Sequence, residues 1–163
     1  MLTVDGLSKE FKMHIRGGLV IEGIHDVSFA AYGGKLLAVT GASGIGKSPL
    51  LKCIYRTYKP TRGSILYLTR EGDKVDLAKA GDQTIIELRK KELGYVSQFL
   101  HVIPRVSALE ILANRLVNET VSQKEAKELA EHYLEKVGIN KNLWNMYPST
   151  FSGGEKQRLN ILL

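Results

Sequence analysis

The sequence predicts an α/β fold, and three observations predict it. Residues 36–40 (Leu-Leu-Ala-Val-Thr) are a compact apolar run, the pattern of a strand buried on both faces. That run leads directly into the glycine-rich stretch Gly41-Ala42-Ser43-Gly44-Ile45-Gly46-Lys47-Ser48. Beyond it Leu50, Leu51, Ile54, Tyr55 and Tyr58 recur at helical spacing.

The other elements follow in chain order. Residues 2–4 read as a short strand and residues 19–24 and 25–31 as two more, with Gly17-Gly18 and Gly33-Gly34 as turns. Pro60 and Gly63 end the helix that follows the glycine loop. Residues 64–68 form a strand, and Glu71-Gly72-Asp73-Lys74 a hairpin turn before Val75-Asp76-Leu77. A short helix over 84–91 precedes a strand over 93–97. From Pro104 the chain turns helical. Ser107 with Glu110, and Ser122 with Glu125, fit capping boxes. Ala126, Leu129, Ala130, Tyr133 and Val137 form one apolar stripe, and Gly138 is placed to stop that helix. No internal repeat or inter-domain linker interrupts the order.

The bulk composition excludes several function classes. At 163 residues the chain supports one domain with a real core, burying roughly 70% of its unfolded surface. Its 44% hydrophobic and 25% charged residues are ordinary for a globular protein. The apolar runs fall far short of the roughly 20 residues a membrane span needs, so no direct membrane insertion is expected. The first residues lack a basic region followed by an apolar stretch, so no secretory leader is expected either. A single cysteine, Cys53, fits a reducing cytoplasm. The net charge of +6 is spread in short pairs such as Lys90-Lys91. With no zinc spacing and no RNA-binding aromatic signature, no nucleic-acid partner is expected.

Residues 41–48 match G-x-x-x-x-G-K-[ST] between an expected strand and an expected helix, the context that gives this motif its meaning. Backbone amides must approach phosphates closely, and glycines remove the bulk that would prevent it. The helix start near Gly46 adds unpaired N–H groups and the positive end of a dipole. Lys47 supplies a point charge for the β- and γ-phosphates, and the Ser48 hydroxyl a magnesium ligand. ATP with Mg2+ is the expected ligand. Pro49 is unusual there. In the first helical turn it breaks no intrahelical bond, because those amides have no helical partner. It does remove one amide from the phosphate face, and it biases Ser48 away from helical angles, so the expectation is a perturbed loop.

Two later segments narrow the family. Tyr95-Val96-Ser97-Gln98 ends an expected strand on glutamine, and Phe151-Ser152-Gly153-Gly154-Glu155-Lys156-Gln157-Arg158 follows. After a phosphate loop, in that order, they resemble the Q-loop and signature sequence of ATP-binding-cassette (ABC) ATPases. The resemblance covers essentially the whole chain. It implies a P-loop NTPase nucleotide-binding domain: a RecA-like core, an antiparallel β subdomain and a helical subdomain. The chain would be one partial cassette, about 1–100 core, 101–150 helical subdomain and 151–163 signature helix. It also implies roles. Ser152, Gly153 and Gly154 would contact the γ-phosphate held by a second ABC subunit, with Glu155 structural. Gln98 would join Ser48 at Mg2+, and Phe11 would stack on adenine. Each residue also has a plainer reading: Gln98 as a surface amide, Ser152 with Glu155 as a capping box, and Phe11 as core packing.

Finer strings point to a subgroup. Ser97-Gln98-Phe99-Leu100 and Pro148-Ser149-Thr150-Phe151-Ser152-Gly153-Gly154-Glu155 resemble PhnL, the cassette subunit associated with bacterial carbon–phosphorus lyase. This implies phosphonate metabolism with lyase subunits as partners. The lipoprotein- and macrolide-export ATPases are the alternative, sharing Gln-Phe-x-x-x-Ile-Pro and Ser-Gly-Gly-Glu. In the resembled family a strand carrying the Walker B aspartate and catalytic glutamate follows the signature helix, and a switch histidine comes later. The sequence ends at Leu163, ahead of them. The expectation is a C-terminally incomplete cassette with no complete catalytic set. It would bind nucleotide without turnover, while a longer parent hydrolyses ATP, and residues 36–40 would carry an open apolar edge.

Overall fold

The computed structural model describes residues 1–13, 19–118 and 120–163. They form two compact units, Met1–Gly94 and Tyr95–Leu163.

The first unit is built on an antiparallel sheet of β1 (Leu2–Met13), β2 (Leu19–Ala31), β3 (Arg62–Leu68) and β4 (Lys74–Asp76), in the order β2-β1-β3-β4. Val4, Leu7, Ile24 and Ile65 bury their side chains from this sheet. They share one core with Leu50 and Cys53 of α1 (Lys47–Ile54) and Ile85 and Leu88 of α2 (Asp82–Lys91). β1 is four times the length expected from its apolar start. Its polar second half, from Ser8 to Lys12, is carried by the ladder with β2 rather than by propensity. The two strands expected over 19–24 and 25–31 are one strand with an irregularity. Asp26 takes a left-handed conformation (φ 46°), and its N–H donates to the Ser8 hydroxyl at 3.0 Å. Gly33-Gly34 form the expected turn, whereas Gly17-Gly18 lie outside the described residues.

Helix α1 stops at Ile54, short of Tyr55 and Tyr58, and the reason lies in two arginines. Arg56, just past the helix end, is left-handed (φ 67°) and buried. Its Nε donates to the Leu77 carbonyl at 2.6 Å, and an Nη donates to the Ala80 carbonyl at 3.2 Å. Arg89 of α2 forks onto the Tyr55 carbonyl at 3.0 and 2.7 Å and lies 4.4 Å from the Tyr55 ring centroid. The Tyr55 carbonyl is thus taken up by α2, while the Leu51, Lys52 and Cys53 carbonyls accept from the amides of Tyr55, Tyr58 and Arg56 as the chain leaves the helix.

Two expected strands are not formed. Residues 36–40 and 93–97 have no ladder partner among the described residues. Leu36 is 97% exposed, and Leu37 and Val39 are also exposed. A strand covered on both faces is held by hydrogen-bonded neighbours and by layers above and below. The described residues supply neither, so the apolar pattern alone does not make a strand.

The second unit is helical: α3 (Ala108–Leu116), α4 (Gln123–Lys136) and α5 (Gly153–Leu162), with short 3-10 turns at Lys141–Leu143 and Pro148–Thr150. Its core joins Leu109, Leu112, Leu134, Ile139, Phe151 and Leu159. The buried stripe of α4 runs Ala126, Ala130, Leu134. The expected stripe named Leu129 and Tyr133 instead of Leu134; both are exposed on its shoulder, because strict i,i+4 spacing faces α3 here. Gly138 stops the helix as expected (φ 73°).

All three helices open with a complete capping box, Ser107–Glu110, Ser122–Glu125 and Ser152–Glu155. In each, the serine hydroxyl and backbone N–H donate to the glutamate carboxylate, which holds all three carboxyls below the usual range. Such a group stabilises the fold fully above its unfolded value of about 4.3, and the contribution is lost as pH falls through the lowered folded value. Acid titration below about pH 4.3 should therefore unwind the first turns of these helices, read from the Glu110, Glu125 and Glu155 amide shifts. Replacing all three glutamates with glutamine, which also closes the box, should flatten that pH dependence.

Candidate functional site

Residues 41–46 pass into α1 through three left-handed glycines, Gly41 (φ 142°), Gly44 (φ 84°) and Gly46 (φ 105°). Gly46 is the N-cap of α1 and has no side-chain capping bond, so the first-turn amides stay available. It also lies against the Gly23 carbonyl of β2, where a Cβ would overlap the oxygen. Only glycine satisfies both the backbone angle and the approach. Lys47 curls back over the loop, its Nζ donating to the carbonyls of Gly41 (2.8 Å) and Ala42 (2.7 Å). Two of its three N–H groups are used within the loop, which fixes the ammonium at the loop mouth.

Ala42, Ser43, Gly44, Ile45 and Ser48 are exposed. Ser48 is helical, so the expected bias from Pro49 is not expressed in the backbone; α1 enforces its own geometry on the residue before the proline. The exposed Ser48 hydroxyl in the first turn is a hard oxygen donor, the type Mg2+ takes alongside phosphate and water oxygens.

Phe11 on β1 is half-buried and has three neighbours. Its ring meets Tyr58 edge-on at 5.2 Å, and Lys9 Nζ stands 5.3 Å from its centroid. Its edge also covers Gly23, where an added Cβ would sit 2.5 Å from Cε2. Gly23 therefore touches both Phe11 and Gly46, which brings the aromatic ring to within one residue of the glycine loop.

The other expected residues belong to the second unit. Gln98 is exposed on a turn. Beside it, the Ser97 hydroxyl donates to the Phe99 carbonyl at 2.5 Å, and the Ser97 carbonyl accepts from Asn160 Nδ2 at 2.6 Å. Ser152, Gly153 and Gly154 are exposed at the open start of α5. Ser152 Oγ is 2.8 Å from the Glu155 carboxylate. Asn160 was not singled out from the sequence. The available signal was a lone amide in the apolar run Leu159-Asn160-Ile161-Leu162-Leu163.

A left-handed glycine loop leading into a helix start, with its lysine turned onto the loop mouth, offers backbone amides and a positive charge to an anion. The ABC transporter family profile matches residues 24–163. The chain belongs to the ABC transporter family. This cassette is 33% identical over 161 residues to the uncharacterised ABC transporter ATP-binding protein YvrO of Bacillus subtilis, covering 99% of the chain and 66% of that protein. It is 38% identical over 151 residues to the lipoprotein-releasing system ATP-binding protein LolD of Hahella chejuensis, covering 92% of the chain and 62% of LolD. It also superposes on the solved dimeric structure of MJ0796, a bacterial ABC transporter cassette, with TM-score 0.84 and 27% identity over 99% of the chain and 68% of that structure. The cassette thus spans about two thirds of the length of these relatives, and its fold is that of an ABC nucleotide-binding cassette.

The second unit of the cassette also carries an open groove of about 770 Å³ beside the Gln98 turn. Phe99, Val102, Ile103 and Pro148 give it an apolar wall, and its charged rim is basic, with Arg105 and Lys156 and no carboxylate. Phe99 and Ile103 are 67% and 72% exposed. Among the described residues no helix is long and apolar enough to cross a membrane.

Proposed function

We propose that this cassette is the ATP-binding subunit of an ABC transporter. The glycine loop at 41–48 grips the phosphates of Mg-ATP, with Ser48 on the metal and Gln98 serving the same ion. Phe11 packs beside adenine. Ser152, Gly153 and Gly154 serve the γ-phosphate of a second ABC subunit, and Glu155 holds the serine. The whole chain acts as one nucleotide-binding domain on the cytoplasmic side of the membrane. The geometry of Gly46 and Lys47 carries this reading.

The groove beside Gln98 favours transport over the lyase-associated role. Its apolar wall and basic rim suit a short amphipathic helix with acidic side chains from a membrane subunit. The similarity to lipoprotein-releasing ATP-binding proteins supports the same choice. The PhnL reading rests on two short strings, and none of the relatives named above is lyase-associated. Affinity capture of the full-length protein from cells grown on phosphonate should recover a membrane permease subunit. Ile103→Asp should lose it while keeping ATP binding, and Lys47→Ala should lose ATP. Recovery of lyase subunits without any membrane protein would overturn the transport reading.

Pro49 offers a second test. It removes one amide from the phosphate face, and a hydrogen bond to a charged group contributes about 1.5–3 kcal/mol, part of which water replaces. Pro49→Thr restores the amide and adds a hydroxyl. It should tighten Mg-ATP binding roughly 5- to 150-fold by calorimetry, and leave adenosine unchanged.

A further inference from the structure

Three observations meet on one face of α5. Asn160 is 8% exposed, and its Nδ2 donates to the Ser97 carbonyl, 63 residues away in sequence, at 2.6 Å. Lys156, one turn earlier on the same face, lines the groove with Phe99 and donates to the Ser149 carbonyl at 3.2 Å. The Ser97 hydroxyl in turn closes a tight turn onto the Phe99 carbonyl, and Leu100 packs against the core that contains Leu159. Gln98 therefore sits at the exposed apex of a turn whose two flanks are both fixed, one by Asn160 and the other by the helical core. The helix that fixes it is the one whose first turn presents Ser152, Gly153 and Gly154.

We propose that Asn160 is a positioning residue that ties the Gln98 turn to α5, so that the turn and the helix shift together. Without this bond the Ser97 carbonyl loses a short, partly buried partner, and the turn around Gln98 keeps only the Ser97 hydroxyl bond to Phe99 and the contact of Leu100 with the core. The inference rests on reading Gln98 and residues 152–154 as nucleotide-facing. Ligation of a phosphate at the start of α5 would then displace Gln98, and the reverse, without a contact between them.

The test uses the full-length protein and Asn160→Leu, which keeps the size and removes the amide. Backbone order parameters at Gln98 and Phe99 should fall, while those at Leu112 and Leu134 stay unchanged. In ATP turnover kcat should fall roughly tenfold with KM within about twofold, and Gln98→Ala should cost far less in the Asn160→Leu background than alone. Asn160→Gln, which retains a donor, should recover part of kcat. Unchanged order parameters at Gln98 and Phe99, or additive kinetic effects of the two substitutions, would overturn the proposal. A parent protein with no turnover sensitive to Lys47→Ala would overturn the nucleotide reading instead, with the order parameters still deciding whether Asn160 holds the turn.

Discussion

Gly46→Ala is expected to weaken Mg-ATP binding by at least about a hundredfold. Two penalties combine. A residue with a Cβ in the left-handed region costs about 1–2 kcal/mol, and Gly46 stands at φ 105°. The new Cβ would also overlap the Gly23 carbonyl, a backbone atom that cannot swing aside. The loop must move, and the amides at the start of α1 move with it. Losing two amide–phosphate bonds at about 1.5–3 kcal/mol each gives the hundredfold figure or more. Gly33→Ala is the control, because nothing lies within 4 Å of its Cβ position; it should change binding and stability negligibly. Calorimetric titration of both variants decides the matter. Gly46→Ala binding within threefold of the parent would remove this loop from the nucleotide site.

Arg56→Ala should destabilise the first unit by about 3 kcal/mol, read as a fall in melting temperature of about 10 °C or more. The guanidinium is buried and bonds two carbonyls, and the shorter bond, to Leu77, lies fully inside. Alanine leaves that carbonyl unpaired in a site water does not reach. It also keeps the strain of a left-handed backbone at this position. Arg56→Gly removes the same bonds and relieves the strain, so it should lie about 1 kcal/mol above Arg56→Ala. Equal stabilities for the two would mean the backbone opens without the arginine. A near-neutral Arg56→Ala would mean that the Leu77 carbonyl finds another donor.

The legible parts of this protein were those with local causes. The three helices of the second unit were readable from serine and glutamate three apart, because a capping box closes within a single turn. Gly138 was readable as a stop because its left-handed conformation is intrinsic to glycine. The glycine loop was readable for the same reason: its spacing and its lysine are a local chemical pattern. The misread parts depended on partners far away in sequence. The polar half of β1 is a strand because β2 pairs with it, and no propensity in Ser8-Lys9-Glu10 announces that. The stripe of α4 held Ala126 and Ala130 but was drawn too wide at Leu129 and Tyr133 and missed Leu134, because the facing helix selects which row is buried.

Sequence by itself determined the glycine-loop pattern at 41–48, the helix starts at Ser107, Ser122 and Ser152, and the family, because each rests on residues within a turn or a motif. Tertiary structure decided the rest. It left residues 36–40 and 93–97 without partners, since pairing is a property of neighbours and not of apolar runs. It set Phe11 against Gly23, and Gly23 against Gly46, a contact among three elements that no spacing reveals. It ended α1 at Ile54, where Arg56 turns left-handed and Arg89 of α2 takes the Tyr55 carbonyl. And it joined Asn160 to Ser97 across 63 residues, giving a buried amide in an apolar run the acceptor that the run itself lacks.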